Sequence, residues 1–415
     1  MLLSLSFKNI KSYREENNFS LICPNGKIKN RYPDNFETIS DIAALKTAVI
    51  IGENAGGKSN FIFVLEYLKY LFSITDRPIK SFSNLVFSVN KAIVTSSENI
   101  DNPETLEKTQ QDINLEVVAS DGLIYHYYLE FDCVGIKTEK LTYRKNYKGV
   151  EKVAFSFLRK DDFGNKSISS TVSLTIETRD KKTDKMLLKS VVSTGLIANS
   201  LSLIYGKHIA PFVRWIKDSL TTYCSAIPLN YAYSFGDCDL DDVNRVMSSP
   251  DFIDIFRLVD SSIVSIDVDK EKPFSKTVVY REIEGKKWPR TIEDDSSGVK
   301  QFLALSYDIY RVIFGKKVFF ADELDSMLNP ILTMKLINYI HSFADSGQFI
   351  FTSHNVTHLN LQLFMKDQMF IVEKDKKSLE SSIYSVADFK ELRYDSNQKL
   401  YEFYMNGLLG GVDNA

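Results

Sequence analysis

Residues 47–61, Thr-Ala-Val-Ile-Ile-Gly-Glu-Asn-Ala-Gly-Gly-Lys-Ser-Asn-Phe, carry the most legible chemistry in the chain. Gly52 to Ser59 fits G-x-x-x-x-G-K-[ST] without a mismatch. The backbone N–H groups of such a loop curl around phosphate oxygens, and a Cβ at its tight positions would stand in their way. Lys58 offers a point charge to the β- and γ-phosphates, and Ser59 offers a hydroxyl to Mg²⁺. Gly52, Asn54, Gly57 and Asn60 complete the expected cradle. A flexible turn ahead of a helix is the bland alternative. Context argues against it: Ala48, Val49, Ile50 and Ile51 read as a buried strand before the loop. After it, Phe61, Phe63, Val64, Tyr67, Leu68 and Leu71 recur at helical spacing. The helix N-terminus adds its positive dipole end. This arrangement points to a bound nucleoside triphosphate.

A second set of residues lies far downstream. Val318-Phe319-Phe320-Ala321-Asp322-Glu323 is an apolar strand ending in two carboxylates. The end of a buried strand places Asp322 at the carboxyl edge of a sheet, where nucleotides sit in open α/β folds. Asp322 is suited to hold Mg²⁺ through its hydration shell, and Glu323 to polarise an attacking water. Surface acids at a strand end are the alternative, and the phosphate loop in the same chain weighs against it. Upstream, Asp295-Ser296-Ser297-Gly298-Val299-Lys300-Gln301 opens an amphipathic helix. Small residues at that N-terminus make a second phosphate cradle, although N-capping alone also accounts for Ser297. Asp325 follows the acidic pair, and Gln348 to His354 puts a histidine just past another buried strand.

The elements that must position these groups follow from periodicity. Leu3, Leu5 and Phe7, then Phe19 and Leu21, alternate like a pair of strands, and residues 74–112 are polar and weakly patterned. Four β-like runs follow, Ile113–Val118, Tyr125–Phe131, Val153–Phe157 and Thr171–Ile176, with Asp121-Gly122 as a hairpin turn. Leu187, Val191, Val192, Leu201, Leu203, Ile204, Phe212, Trp215, Ile216 and Leu220 have helical spacing, broken at Pro211 and Pro228. Val264–Val268 and Lys276–Ile283 read as strands, 298–313 as a helix, Val318–Ala321 as a strand and Ile331–Phe343 as a helix. Gln348–Thr352 and Gln368–Val372 are further strands. The expected organisation is an α/β fold with one parallel core interrupted by its middle. Residues 1–181 form an N-terminal lobe with the phosphate loop and an antiparallel β subdomain. Residues 182–262 form a helical insertion, and 263–415 a C-terminal lobe.

Composition bounds the class. The 415 residues are 44% hydrophobic and 25% charged, ordinary values for a globular protein. A net charge of −3 argues against general electrostatic attraction to nucleic acid or anionic membrane. Cys23, Cys133, Cys224 and Cys238 form no C-x-x-C pair, which suits a reducing cytosol. The first residues lack the features of a signal peptide and no apolar run reaches transmembrane length, so a cytoplasmic protein is expected.

In this order, the phosphate loop, the Ser297-Gly298 helix start, Asp322-Glu323, Asp325 and His354 resemble an ABC-class ATPase head. SMC and RecF heads are the nearest in kind, and Asn9-Ile10-Lys11-Ser12-Tyr13 is similar to their N-F-R-S-F opening. More closely, the chain resembles the stand-alone bacterial ABC ATPases called RloA-like or abortive-infection ATPases. That likeness rests on Asp322-Glu323-Leu324-Asp325, on residues 367–375 and on Tyr404-Met405-Asn406-Gly407. The resemblance implies an ABC-type P-loop NTPase head that hydrolyses ATP slowly, with ATP and Mg²⁺ as cofactors and a homodimer as the working unit. Ser297 and Gly298 would then reach the γ-phosphate of the facing subunit, Asp325 would report across the interface, and His354 would sense the γ-phosphate in its own subunit. It further implies a switch in anti-phage defence acting through a separately encoded, nuclease-type effector, with RecF- or SMC-like DNA repair or a non-hydrolysing scaffold as rivals. Contact with nucleic acid stays open; contact with membrane is not expected. Two features depart from the family: Val299 stands where a second glycine is usual, and Gln110 and Gln111 are the candidates for a Q-loop glutamine.

Other signals lead elsewhere. His354 and His358 are spaced as in H-E-x-x-H, but Asn355 occupies the place of the glutamate base, and His358 reads as a helix-surface residue. Lys137, Lys140, Arg144, Lys145, Lys148 and Lys152 read as a solvated strand face. Glu373 ends a strand as a Toprim glutamate does in OLD-type nucleases, yet no Asp-x-Asp pair follows it, so no nuclease site in cis is expected.

Overall fold

The computed structural model describes residues 1–74, 79, 107–163, 168–177, 195–204, 206–223, 240–269, 271–272, 275–392 and 400–411. The first half contains strands β1 (Leu2–Lys8), β2 (Asn17–Ser20), β3 (Phe36–Ile39), β4 (Ile42–Leu45) and β5 (Thr47–Gly52), then helix α1 (Lys58–Ser73). Strands β6 (Gln111–Val118), β7 (Ile124–Phe131), β8 (Ile136–Arg144), β9 (Lys152–Phe163) and β10 (Ile168–Ile176) follow. Next come helices α2 (Ile197–Ile204) and α3 (Gly206–Arg214), a π turn at Trp215–Ser219, and β11 (Leu220–Tyr223). Helices α4 (Leu240–Met247) and α5 (Pro250–Phe256) precede a small sheet of β12 (Ile263–Asp267), β13 (Val278–Ile283) and β14 (Lys286–Thr291). The last part holds α6 (Ser297–Gly315), β15 (Val318–Ala321), α7 (Leu324–Met327), α8 (Pro330–Phe343), β16 (Gln348–Ser353), β17 (Met369–Lys374), β18 (Ser381–Ser385) and α9 (Leu400–Met405).

The central sheet runs β11-β15-β16-β5-β17-β18. Its first five strands are parallel and β18 is antiparallel at the edge. Its strands are apolar runs because they are covered on both faces. Alternation sorts their side chains into two cores. Ala48, Ile50, Phe320, Ile350, Phe370 and Val372 face one core, shared with α1 and the antiparallel sheet. Val49, Ile51, Phe319, Phe349, Phe351 and Ile371 face the other, shared with α5, α6 and α8. The second large sheet, β10-β9-β8-β7-β6-β1-β2, is antiparallel throughout. An aromatic cluster pins it to the central sheet: Phe19 lies 4.4 Å from Phe370 and 5.0 Å from Phe61, and Phe7 meets Tyr13 edge-on at 5.0 Å. Buried Gln348 adds a polar tie, accepting from Leu2 N–H and donating to the Leu2 and Leu45 carbonyls.

Because the five parallel strands point the same way, Gly52, Asp322, His354 and Glu373 all fall at or just past the carboxyl edge of this sheet. β16 lies between β5 and β15, so the loop after it enters the space between the phosphate loop and the acidic pair.

Several elements differ from the sequence reading. The 182–262 stretch is not helical throughout: β11 joins the central sheet beside β15. Its four residues are too few for periodicity to separate from the preceding helix. Pro211 sits inside α3 rather than breaking the helix. β14 and β18 have no counterpart in the sequence reading, since Lys286–Thr291 is polar and three of the five residues Ser381–Ser385 are serine. Leu187, Val191, Val192, Pro228, Cys224, Cys238 and most of 74–112 lie outside the described residues. Among those described, no helix is long and apolar enough to cross a membrane.

Candidate functional site

The phosphate loop is held from three sides. Gly57 adopts φ 123°, and a Cβ there would meet Ser381 Oγ at 2.5 Å. A Cβ on Gly52 would lie 2.5 Å from the Val372 carbonyl oxygen. Both glycines are therefore required by close approach, and Gly57 by its backbone angle as well. Ser381 Oγ donates to the Gly56 carbonyl at 2.7 Å, and Tyr13 Oη donates to the Gly57 carbonyl at 3.1 Å. The Asn60 amide donates to Ser12 Oγ at 2.9 Å, which ties the first turn of α1 to the opening Asn9–Tyr13 turn. Asn54 is exposed and Ser59 half-buried at the mouth of the loop.

Lys58 is buried against its own loop. Its Nζ donates to the Gly52 and Glu53 carbonyls at 2.8 and 2.9 Å and lies 3.1 Å from His354 Nδ1. Burial pushes its pKa down to about 8; the nearby Asp322, Asp325 and Glu323 carboxylates oppose the shift without cancelling it. With two carbonyls and an imidazole as hydrogen-bond partners, this ammonium is poised for an anion.

The acidic pair is fixed by a residue that sequence reasoning missed. Thr352, fully buried on β16, donates its hydroxyl proton to Asp322 Oδ1 at 2.6 Å and accepts the Glu323 N–H at 2.8 Å. One hydroxyl thereby orients both acids. Asp322 is fully buried. Glu323 sits in the left-handed region at φ 49°, an unusual conformation for a residue with a side chain. That conformation carries its carboxylate toward His354, with Oε1 3.8 Å from Nε2. Asp325 Oδ1 accepts the His354 N–H at 3.1 Å. Lys58, His354, Glu323, Asp322, Thr352 and Asp325 form one connected cluster. The signal for Thr352 was a hydroxyl directly after the apolar run Phe349-Ile350-Phe351, two residues before a histidine.

Glu66 on α1 approaches the same cluster: burial and the Asp322 charge raise its pKa. His358 is not a helix-surface residue. It is 2% exposed in a short turn, with Nδ1 3.0 Å from Ser353 Oγ and its ring edge-on to Phe351. Burial lowers its pKa. Gln110 and Gln111 serve the antiparallel sheet: Gln111 donates to the Asn9 carbonyl, and Gln110 lies between Asp112 and Lys137.

Ser297 and Gly298 stand apart from all of this. Ser296, not Ser297, is the N-cap of α6, accepting the Val299 N–H at 3.3 Å. With capping taken by its neighbour, Ser297 is exposed, and no atom lies within 4 Å of where a Gly298 Cβ would be. Val299 turns inward and is buried at 6%. Asp295 anchors this end, accepting from Ser296 N–H and pairing with Arg281 at 2.7 Å. The hydrogen bonds joining the cluster around Lys58 do not include this helix start.

Residues 230–360 match the family model described as "AAA domain, putative AbiEii toxin, Type IV TA system". No curated protein matches the chain. Solved structures similar to it include the SMC head domain from Thermotoga maritima, at 12% identity and TM-score 0.42, covering 92% of this chain and 98% of that one. An SMC head bound to the C-terminal winged-helix domain of ScpA aligns at 14% identity and TM-score 0.45, covering 92% and 97%. An SMC head with an extended coiled coil, bound to the C-terminal domain of ScpA from Pyrococcus furiosus, aligns at 12% and 0.42, covering 92% and 96%.

Proposed function

We propose that this chain, a P-loop NTPase head of the ABC class, is an ATPase whose ATP-dependent pairing works as a switch. The observation that carries this reading is a site in two unequal parts. The phosphate loop, acids and histidine are assembled and mutually bonded, while the helix start, with Ser297 exposed and Gly298 half-buried, lies outside that cluster.

The residues present fit ATP and Mg²⁺. The glycine positions have no room for side chains, which suits a backbone closing on phosphate. Ser59 and Asp322 offer the hard oxygen donors Mg²⁺ takes, and Asp322 is buried with one carboxylate oxygen occupied by Thr352. Mg²⁺ held there would neutralise phosphate charge and polarise the terminal phosphoryl group. In this reading Lys58 exchanges its carbonyl partners for phosphate oxygens. Glu323 orients the attacking water, His354 senses the terminal phosphate, and the facing copy supplies Ser297 and Gly298 to it. Asp325, already joined to His354, carries the state of one site toward the other. Pairing follows from contacts that exist only in the ATP-bound state.

The biological role we infer is bacterial anti-phage defence of the abortive-infection type, with a separately encoded effector. Its support is the toxin-system description of the family model matching residues 230–360, together with the sequence resemblance to abortive-infection ATPases. Glu323→Gln tests the pairing: with ATP and Mg²⁺ it is expected to accumulate dimers in light scattering and to stop releasing phosphate. A variant that stays monomeric with ATP bound would sink the switch. Phosphate release that is absent in the wild type as well would assign the chain to a non-hydrolysing scaffold.

A further inference from the structure

One charged, aromatic surface takes no part in the site above. β13 and β14 form a hairpin whose outer strand, Lys286-Lys287-Trp288-Pro289-Arg290-Thr291, is exposed along all but its last residue. The pairing register puts Arg281 opposite Trp288, Val279 opposite Arg290 and Ile283 opposite Lys286. Side chains alternate across a strand, so Lys286, Trp288 and Arg290 share one face. The inner part of that face packs into the core through Val279, and Arg281 is occupied by Asp260 and Asp295 at 2.7 Å each. The outer part is a row of cation, indole and cation about 14 Å long at strand spacing. Trp288 is 56% exposed and Ile283 53% exposed.

Lysines and a proline on an edge strand discourage pairing with stray strands, which accounts for Lys287 and Pro289. It does not account for an uncovered indole flanked on its own face by two cations, in a chain whose net charge is −3. A flat π-surface between positive charges is what an unpaired base and its neighbouring phosphates require. We propose that the Lys286-Trp288-Arg290 face of this hairpin binds single-stranded nucleic acid, stacking a base on Trp288 and setting phosphates against Lys286 and Arg290.

The hairpin is also tied to the exposed helix start. Arg281 pairs with Asp295, whose carboxylate accepts the N–H of Ser296, the cap of α6. On the switch reading proposed above, a strand held by the hairpin and a partner engaging Ser297 act on one rigid unit, so each changes the affinity of the other by the same factor. The binding itself does not depend on that reading.

The chain has two tryptophans, and Trp215 is buried at 4%, so Trp288 is a built-in probe. The experiment titrates the full chain without nucleotide with oligo(dT), oligo(U) and a duplex of equal length, following tryptophan emission at several salt concentrations. The expected result is quenching by the single strands, strongest at low salt, with the dT and U arms reporting whether DNA or RNA is preferred. Trp288→Ala, followed by the anisotropy of end-labelled oligo(dT) and oligo(U) because the probe itself is gone, should weaken binding about tenfold or more. Lys286→Glu with Arg290→Glu should weaken binding about tenfold or more and flatten the salt slope by roughly 1.4, two phosphate contacts at about 0.7 each. These side chains are exposed, so the thermal midpoint and ATP affinity of both variants should match the wild type, separating a failure here from a failure of the nucleotide site. Emission indifferent to both single strands overturns the proposal, as does undiminished affinity in the charge-reversed variant. Quenching by polyglutamate but not by oligonucleotides would assign the face to an acidic protein and overturn it equally.

Discussion

Two regions expected to touch one triphosphate are built in opposite ways. Around Lys58 the polar groups are bonded to one another, with Lys58, Asp322 and Thr352 buried and Glu323, Asp325 and His354 half-buried: the ammonium lies on two carbonyls and an imidazole, Thr352 joins both acids, and Asp325 holds the His354 backbone. Around Ser297 the chain presents an exposed hydroxyl, a glycine with open space before it and the start of a 19-residue helix. Ser296 does the capping, so the exposed Ser297 hydroxyl is not needed for it. On the proposed reading the bonded region holds its groups in place for phosphate, with Lys58 exchanging its carbonyl partners, so little of it has to be ordered when the ligand binds. The exposed region costs nothing to present and gains its contacts only when a ligand-bearing surface arrives. Such an asymmetry suits a switch, because the two halves can be weakened independently.

The sharpest way to break the comparison is to damage each half in turn. Lys58→Ala should weaken ATP binding at least about thirtyfold, since a charged partner of the phosphates is removed from a buried position. Ser297→Arg should leave monomer ATP affinity within about twofold while preventing ATP-dependent pairing. Equilibrium binding with a fluorescent nucleotide, paired with light scattering, reads both. If Ser297→Arg costs as much ATP affinity in the monomer as Lys58→Ala does, the two regions are not separable.

Thr352 sharpens the account of the buried half. Thr352→Val keeps the shape but removes the hydroxyl that bonds the Glu323 N–H and an Asp322 oxygen. Losing a hydrogen bond to a charged group predicts a fall in kcat of about ten- to hundredfold with KM little changed. Thr352→Ser should restore most of it. Equal loss in Thr352→Ser would make the methyl group, not the hydroxyl, the operative feature.

The smallest effect is a proton. Lys58 has its pKa lowered to about 8, so at pH 8 it is about half charged in the empty site. Phosphate favours the ammonium, so ATP binding near pH 8 should take up about half a proton per site, and almost none at pH 6. Calorimetry in two buffers of different ionisation enthalpy measures it. The same shift has a stability consequence of definite sign. Between pH about 8 and 10.5 the unfolded chain holds more protons at this lysine than the folded one, so its contribution to stability rises with pH across that window.

The sequence made some of this legible and hid the rest for identifiable reasons. The phosphate loop and Asp322-Glu323 could be placed at a strand end from sequence because each is a short run of set residue types directly after an apolar strand. The parallel strands were readable because burial on both faces leaves unbroken apolar runs such as Ala48–Ile51 and Val318–Ala321. Thr352, Ser381 and Tyr13 were not seen in their structural roles, because each acts on a loop or acid brought to it only by sheet order. His358 was misplaced for a related reason: its burial is set by Phe351 and Ser353 across a turn, which no periodicity records. β11 escaped because four residues are too few to show a period, and the polar β14 escaped because an edge strand with both faces open needs no apolar alternation.

The most direct measurement mixes the two damaged chains. Lys58→Ala and Ser297→Arg, each inactive alone in phosphate release, are combined in equal amounts with ATP and Mg²⁺. A site shared between two copies predicts that activity returns, because a mixed pair contains one composite site with an intact Lys58 and an intact Ser297 from different chains. If the mixture stays as inactive as its components while mixed pairs form, each chain works with its own Ser297, and the shared site is wrong.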